Sequence, residues 1–260
     1  MLDRPVGRLR YVFGNGLRWL SRPWFQSNIQ MQQATTIFGC SYGDEGWHHI
    51  RRTLSEYDAN PSLEPAASTL ALYLKRFLPE SVSVLANVID EEPLPLFVYP
   101  WGSYTKRSIN TPKNPWTSRF CGPSTDQFVI EEYLRTIHLY LEMRQNGYRP
   151  MKFPNSFIQG AWLEAHNGNR RFVVLQGNHR LAVLAHMRAE PVAVCVTSQA
   201  LGYVREADIE NWPLVANGRC SLDNARRIFS LFFRESGWHV ERLITSSDFK
   251  QSLKRVALRS

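Results

Sequence analysis

Apolar and polar positions along the chain fall into clear runs, and the clearest lies at 172–196. Phe172, Val173, Val174 and Leu175 form a strand-like apolar run that breaks at Gly177. Leu181, Ala182, Val183, Leu184 and Ala185 resume it with helical spacing, and Pro191 precedes a second apolar run through Val192, Val194 and Val196. The pattern predicts strand, tight turn, helix and strand. Upstream, 156–164 reads as a strand, His166-Asn167-Gly168-Asn169 as a hairpin turn, and 171–175 as the returning strand. Before it, Ser124 or Asp126 starts a helix with Ile130, Tyr133, Leu134, Ile137 and Leu141 on one face and Gly147 as its C-cap.

The first third of the chain reads as α-rich. A short strand at 35–39 enters the loop Ser41-Tyr42-Gly43-Asp44-Glu45-Gly46, and a helix follows at 47–57 with Asp44 and Glu45 suited to cap it. The same glycine-rich loop offers a second phosphate site, but its two acids disfavour an anion there. His48 and His49 read as exposed surface, because adjacent helical residues diverge. Asn60-Pro61 ends this helix, and another at 66–77 carries Leu70, Leu72, Tyr73, Leu74 and Phe77. The apolar segment 81–89 fits helix and strand equally.

Six of the 15 prolines fall between 91 and 123, which excludes regular helix over most of that stretch. Within it, 96–99 is expected to be the first strand of the core sheet. Trp101, Tyr104, Lys106, Arg107, Lys113, Trp116 and Arg119 then crowd into a long loop, read either as a binding loop whose rings stack on a base or sugar, or as a proline-stiffened wrap. Beyond 200, a loop at 208–217 holds Trp212-Pro213, and Ser221 caps a helix through Leu222, Ala225, Ile228, Phe229 and Phe232 expected to dock on the sheet. The basic tail from Lys250 reads as loosely ordered.

Composition narrows the partners. The 260 residues carry a net charge of +8, which favours anionic partners. The cysteines, Cys40, Cys121, Cys195 and Cys220, form no CxxC pair, so the expectation is a reducing, cytoplasmic setting without a zinc knuckle. No apolar run is long enough to span a bilayer and no signal-peptide pattern opens the chain. The stretch 4–25 interleaves Arg8, Arg10, Arg18 and Arg22 with Trp19, Trp24 and Phe25, which suits peripheral contact with the inner face of an anionic membrane or an arm packed on the domain.

The candidate chemistry sits at the glycine. Gly177 permits close approach of a ligand, the first amides of the new helix are unpaired, and Asn178, His179 and Arg180 add side-chain donors. Gln176-Gly177-Asn178-His179-Arg180 is therefore the expected phosphate-binding turn. This Gly-Asn-His-Arg sequence resembles the signature turn of the ParB/sulfiredoxin superfamily, and Asn146-Gly147-Tyr148-Arg149-Pro150 is similar to the turn after the first helix of that domain. The resemblance covers roughly 124–197 and implies a small mixed α/β core that binds a nucleoside triphosphate, ATP or CTP, with Mg²⁺. Asn178 stands where sulfiredoxins hold their cysteine, so their redox chemistry is not expected. Gln176 stands where kinase-like members hold an acid, and Leu181 replaces the second arginine of the ParB turn.

The expected fold is thus mixed α/β, with a ParB/sulfiredoxin-like core at 91–200, an α-rich N-terminal extension at 1–90 and a C-terminal helical extension at 201–260. The expected function is nucleotide binding, with phosphoryl transfer to a small metabolite or sugar as the associated kinase-like reaction. His179 and Arg180 would stabilise charge, and Asp90, Glu91, Glu92 and Asp126 are candidates for acid or base. The terminal regions are similar to those of bacterial proteins from surface-polysaccharide gene sets, which implies a sugar or glycan-precursor acceptor. Two other classes stay open: a nucleic-acid-binding ParB-like protein, and a non-catalytic nucleotide-responsive regulator at the membrane.

Overall fold

A computed structural model describes residues 25–89, 92–103, 118–150, 157–197, 202–234 and 236–246. The chain enters through β1 (Phe25–Ile29), a 3-10 turn (Met31–Gln33) and β2 (Ala34–Thr36). Helices α1 (His49–Ala59), α2 (Thr69–Arg76) and α3 (Val82–Leu85) follow, then β3 (Val98–Tyr99) and β4 (Gly102–Ser103). The long helix α4 (Asp126–Asn146) leads to β5 (Ile158–Glu164), β6 (Arg170–Gln176), α5 (Asn178–His186) and β7 (Val192–Val196). The chain continues through β8 (Tyr203–Arg205), a 3-10 turn (Glu206–Asn211), α6 (Pro213–Ala216), α7 (Leu222–Arg234) and α8 (Trp238–Thr245).

The fold is mixed α/β with one mixed sheet in the order β1-β7-β5-β6-β2. At its centre β5 and β6 form the antiparallel hairpin that the sequence pattern predicts. Gly160 on β5 is required there: a Cβ would lie 2.3 Å from the Val173 carbonyl and 2.6 Å from the Phe172 ring. On its other edge β5 pairs in parallel first with β7 and then with β8. The other side of β6 pairs with β2 in parallel, Ala34 opposite Phe172 and Thr36 opposite Val174. The sheet thus takes β1 and β2 from ahead of residue 91 and β8 from beyond residue 200. A continuous buried core runs from Ile29 to Ile244.

Several expectations need correction. The 96–99 segment does not enter the main sheet; β3 pairs with β4 alone. Tyr99 and Trp101 are instead buried in an aromatic knot, with the Trp101 ring 5.2 Å from Trp212 and 5.7 Å from Phe229. The segment 81–89 resolves into the single-turn α3, capped by the Ser81 side chain. Pro65 starts a 3-10 turn, so α2 begins only at Thr69, under a Ser68 cap. The loop expected at 208–217 is largely turned into a 3-10 segment and α6, the latter with Pro213 in its first turn. α7 packs on α3 and on that 3-10 segment.

α4 is capped by Thr125 and ends at Gly147, whose φ is +71°. Its inner face matches the expected one only at Tyr133 and Ile137. Val129, Glu132, Tyr133, Thr136, Ile137, Tyr140 and Met143 are buried, whereas Ile130, Leu134 and Leu141 are exposed. Two polar residues, Glu132 and Thr136, occupy inward positions, and this rotates the buried face away from the purely apolar stripe.

The stretch 1–24, the tail from 247, Asp90, Glu91 and the loop residues Tyr104, Lys106, Arg107, Lys113 and Trp116 lie outside the described residues. No helix among the described residues is long and apolar enough to cross a membrane.

Candidate functional site

Because β2 and β6 are parallel neighbours, their C-terminal ends open on the same side of the sheet. A cavity of about 370 Å³ lies there. In open α/β sheets ligands gather at such carboxyl ends, where following helices present their N-termini. Here two helices do so. Gln176, Gly177, Asn178, His179 and Arg180, all on or before the start of α5, line one part of the wall, and His48, His49 and Ile50 at the start of α1 line another.

Gly177 is the N-cap of α5 with φ +92° and ψ 21°, and no side chain caps the helix. A Cβ on Gly177 would meet Ile158 Cγ1 at 3.0 Å, so a larger residue would be both strained and crowded. The first turn of α5 contains no acid, which leaves the positive end of its dipole uncompensated. Asn178 is oriented by Tyr42, whose hydroxyl donates to Asn178 Oδ1 at 2.6 Å. With its oxygen engaged, the Asn178 side chain has its NH₂ left as donor.

Behind the wall lies a residue that the sequence reading missed. Glu132 on α4 is only 3% exposed, yet it is ionised and receives three donors. Arg119 Nε donates to Oε1, Arg135 Nη2 donates to Oε2 at 2.5 Å, and His179 Nε2 lies 3.2 Å from Oε2. Burial alone would push the Glu132 carboxyl up; the hydrogen bonds from His179 and Arg135 and the positive charge of Arg135 outweigh it and hold the group well below the usual range. Arg135 Nη2 also reaches both ring nitrogens of His179, 3.1 Å to Nδ1 and 2.9 Å to Nε2. With the proton on Nε2 toward the carboxylate, Nδ1 is the nitrogen that accepts from Arg135. Burial lowers the His179 pKa, which Glu132 opposes and Arg135 reinforces, so the ring is neutral near pH 7.

The two arginines are anchored at one end and open at the other: Arg119 is 51% and Arg135 41% exposed, and both line the cavity. Arg180 adds a third arginine to the lining residues. No Asp or Glu is among the residues described as lining it. Tyr73, Phe120 and Leu139 supply an apolar side. The cavity therefore combines cationic forks, helix amides and a flat apolar surface, a donor set suited to an anionic group joined to a ring.

The histidine pair also departs from expectation. His48 and His49 are buried, at 1% and 6% exposure. His48 is the N-cap of α1 and lies outside the helix, so the two rings do not diverge but stack at 4.7 Å and 16°. His49 in turn stacks on Tyr73 at 3.7 Å. Neither Asp44 nor Glu45 caps α1; Asp44 pairs instead with Arg51 at 2.7 Å.

Of the expected acid and base candidates, the two that fall among the described residues do not join the turn. Asp126 is an exposed residue paired with Lys75, and Glu92 is exposed and does not line the cavity. Glu91 lies outside the described residues. The described wall does not fit a Mg²⁺ ion held by protein carboxylates, because Glu132, the carboxylate behind it, is taken up by two arginines and a histidine. Among the described residues no group of three or more His, Cys, Asp or Glu is placed to hold a metal. A signal for Glu132 was present in the sequence as Glu132 and Arg135 at helical spacing, yet mid-helix acids ordinarily face water. Comparison of the chain with protein-family models, curated proteins and solved structures finds no match.

Proposed function

We propose that the chain binds a nucleoside triphosphate in this cavity, in the manner implied by the resemblance of its Gly-Asn-His-Arg turn to the ParB/sulfiredoxin superfamily. The observation that carries the reading is the convergence of Arg119, Arg135 and Arg180 with the uncapped start of α5 on a wall that holds no carboxylate among its described residues. Phosphate oxygens would take the α5 amides and the arginine forks, and the base or sugar would lie against Phe120 and Leu139. Phosphoryl transfer depends mainly on positioning and charge stabilisation, which this donor set supplies. It supplies no base near pH 7, since Glu132 is fully engaged and His179 donates to it. Transfer to a small metabolite or sugar acceptor is the reaction the site would serve, with the acceptor's proton leaving to water or to a group outside the wall.

The test is a binding screen with ATP, ADP, CTP and GTP, followed by hydrolysis and transfer assays with candidate sugars. Nucleotide binding with slow hydrolysis is expected. Tight binding of duplex DNA with no nucleotide binding would replace this reading with the nucleic-acid one.

A further inference from the structure

His48 is the most deeply buried polar group on the cavity wall. Its Nδ1 accepts the Ile50 amide at 3.2 Å to cap α1, so the proton of the neutral ring must sit on Nε2. That Nε2–H has no hydrogen-bond partner, and Nδ1 of the neighbouring His49 has none either. Unmet polar atoms on residues this buried carry a cost that a ligand group can relieve.

The electrostatics around this pair favour a negative guest. α1 has eleven residues and no acid in its first turn. Arg51, one turn along, donates to the Tyr42 and Gly43 carbonyls and holds Asp44, so the loop acid is neutralised in place. Burial, Arg51 and His179 together keep His48 from charging, with its pKa lowered to about 3. A neutral imidazole at a helix start then acts as a fixed donor to an oxygen that bears charge. This end also adjoins the α5 turn through Tyr42. The Tyr42 ring packs against His48 at 4.4 Å, tilted by 35°, and its hydroxyl donates to Asn178 at 2.6 Å.

We infer that the α1 end of the cavity is a second anion subsite, with His48 Nε2–H as its donor, so that the ligand bridges two helix N-termini. The ligand class is a small molecule bearing a di- or triphosphate, in preference to a monophosphate. This rests on the reading of the α5 turn as the first phosphate site.

Calorimetric titration of the full chain with inorganic phosphate and with pyrophosphate separates the two claims. The wild type should favour pyrophosphate by about tenfold or more, the equivalent of one added charge-assisted contact. In His48→Asn the amide oxygen can still accept from Ile50 and cap the helix, whereas the Nε2–H is lost. The variant should bring pyrophosphate affinity close to that of phosphate and leave phosphate itself within about twofold. An unchanged preference in a folded variant overturns the second subsite alone, and failure of the wild type to bind either probe overturns the α5 reading and this inference with it. A measurement on the wild type stands beside the variant: the ¹⁵N resonance of His48 Nε2 should move with pyrophosphate and stay in place with phosphate, and no movement with pyrophosphate contradicts the subsite.

Discussion

His179 Nε2 sits 3.2 Å from Glu132 Oε2, linking the first turn of α5 to a buried carboxylate on α4. Through the same carboxylate Arg119 and Arg135 are fixed at the mouth of the cavity, so one acid from a neighbouring helix orders three donors that would otherwise repel one another. The anion site is therefore assembled from three separate segments, and only its Gly177–Arg180 part is contiguous in sequence.

Replacing Glu132 with Gln should loosen both arginines and destabilise the fold by about 1–3 kcal/mol, the cost of unmet buried hydrogen-bonding groups. The exposure of Arg119 and Arg135 keeps the ion-pair contribution small. The pH dependence carries the sign. The folded pKa of Glu132 is depressed, so its contribution is present above the ordinary carboxylate range and is lost as pH falls through the folded value. Urea melts across the acid range should show a shallower acid loss in Glu132→Gln than in wild type.

The buried histidines predict a second, higher window. His48, His49 and His179 all have pKa values below the ordinary 6.5, chiefly through burial. Below pH 6.5 the unfolded chain takes up protons that the folded chain refuses, so stability falls as pH drops from 6.5 toward 3. The melting temperature should decline steadily over that range, and less steeply in His48→Asn.

Gly177→Ala tests the turn itself. At φ +92°, with Ile158 Cγ1 3.0 Å from the added Cβ, the variant should lose about 1–3 kcal/mol of stability, read as a lower urea midpoint. Anion binding should weaken with it. Gly168→Ala is the control: its φ is also positive, at +79°, but open space surrounds it and it lies far from the cavity wall.

How far the sequence reveals this architecture depends on how local the signals are. The strand-turn-strand-turn-helix path from 158 to 186 is legible because each boundary is marked by its own residues, Asn167-Gly168 at the hairpin and Gly177 at the helix start. The start of α4 at Asp126 and its end at Gly147 are legible for the same reason, although the cap itself is Thr125, a residue the sequence reading passed over. Its buried face is not, because Glu132 and Thr136 are inward polar residues whose partners lie on other segments. Arg119 belongs to a proline-rich stretch with no periodicity, and only the fold brings it to Glu132. His48 and His49 mislead because a stacked pair across a helix cap has no sequence signature that separates it from two surface residues. The edge strands β1 and β8 depend on long-range pairing with β7 and β5.

The most direct test of the central claim is calorimetric titration of ATP and CTP into the wild-type chain and into Arg180→Ala. Arg180 is half-buried on the cavity wall beside the α5 amides, and burial lowers its pKa. The account predicts saturable nucleotide binding by the wild type, weakened in the folded variant by about 1.5–3 kcal/mol through loss of a charge-assisted contact. A wild type that binds neither nucleotide, or a folded Arg180→Ala with unchanged affinity, would contradict it.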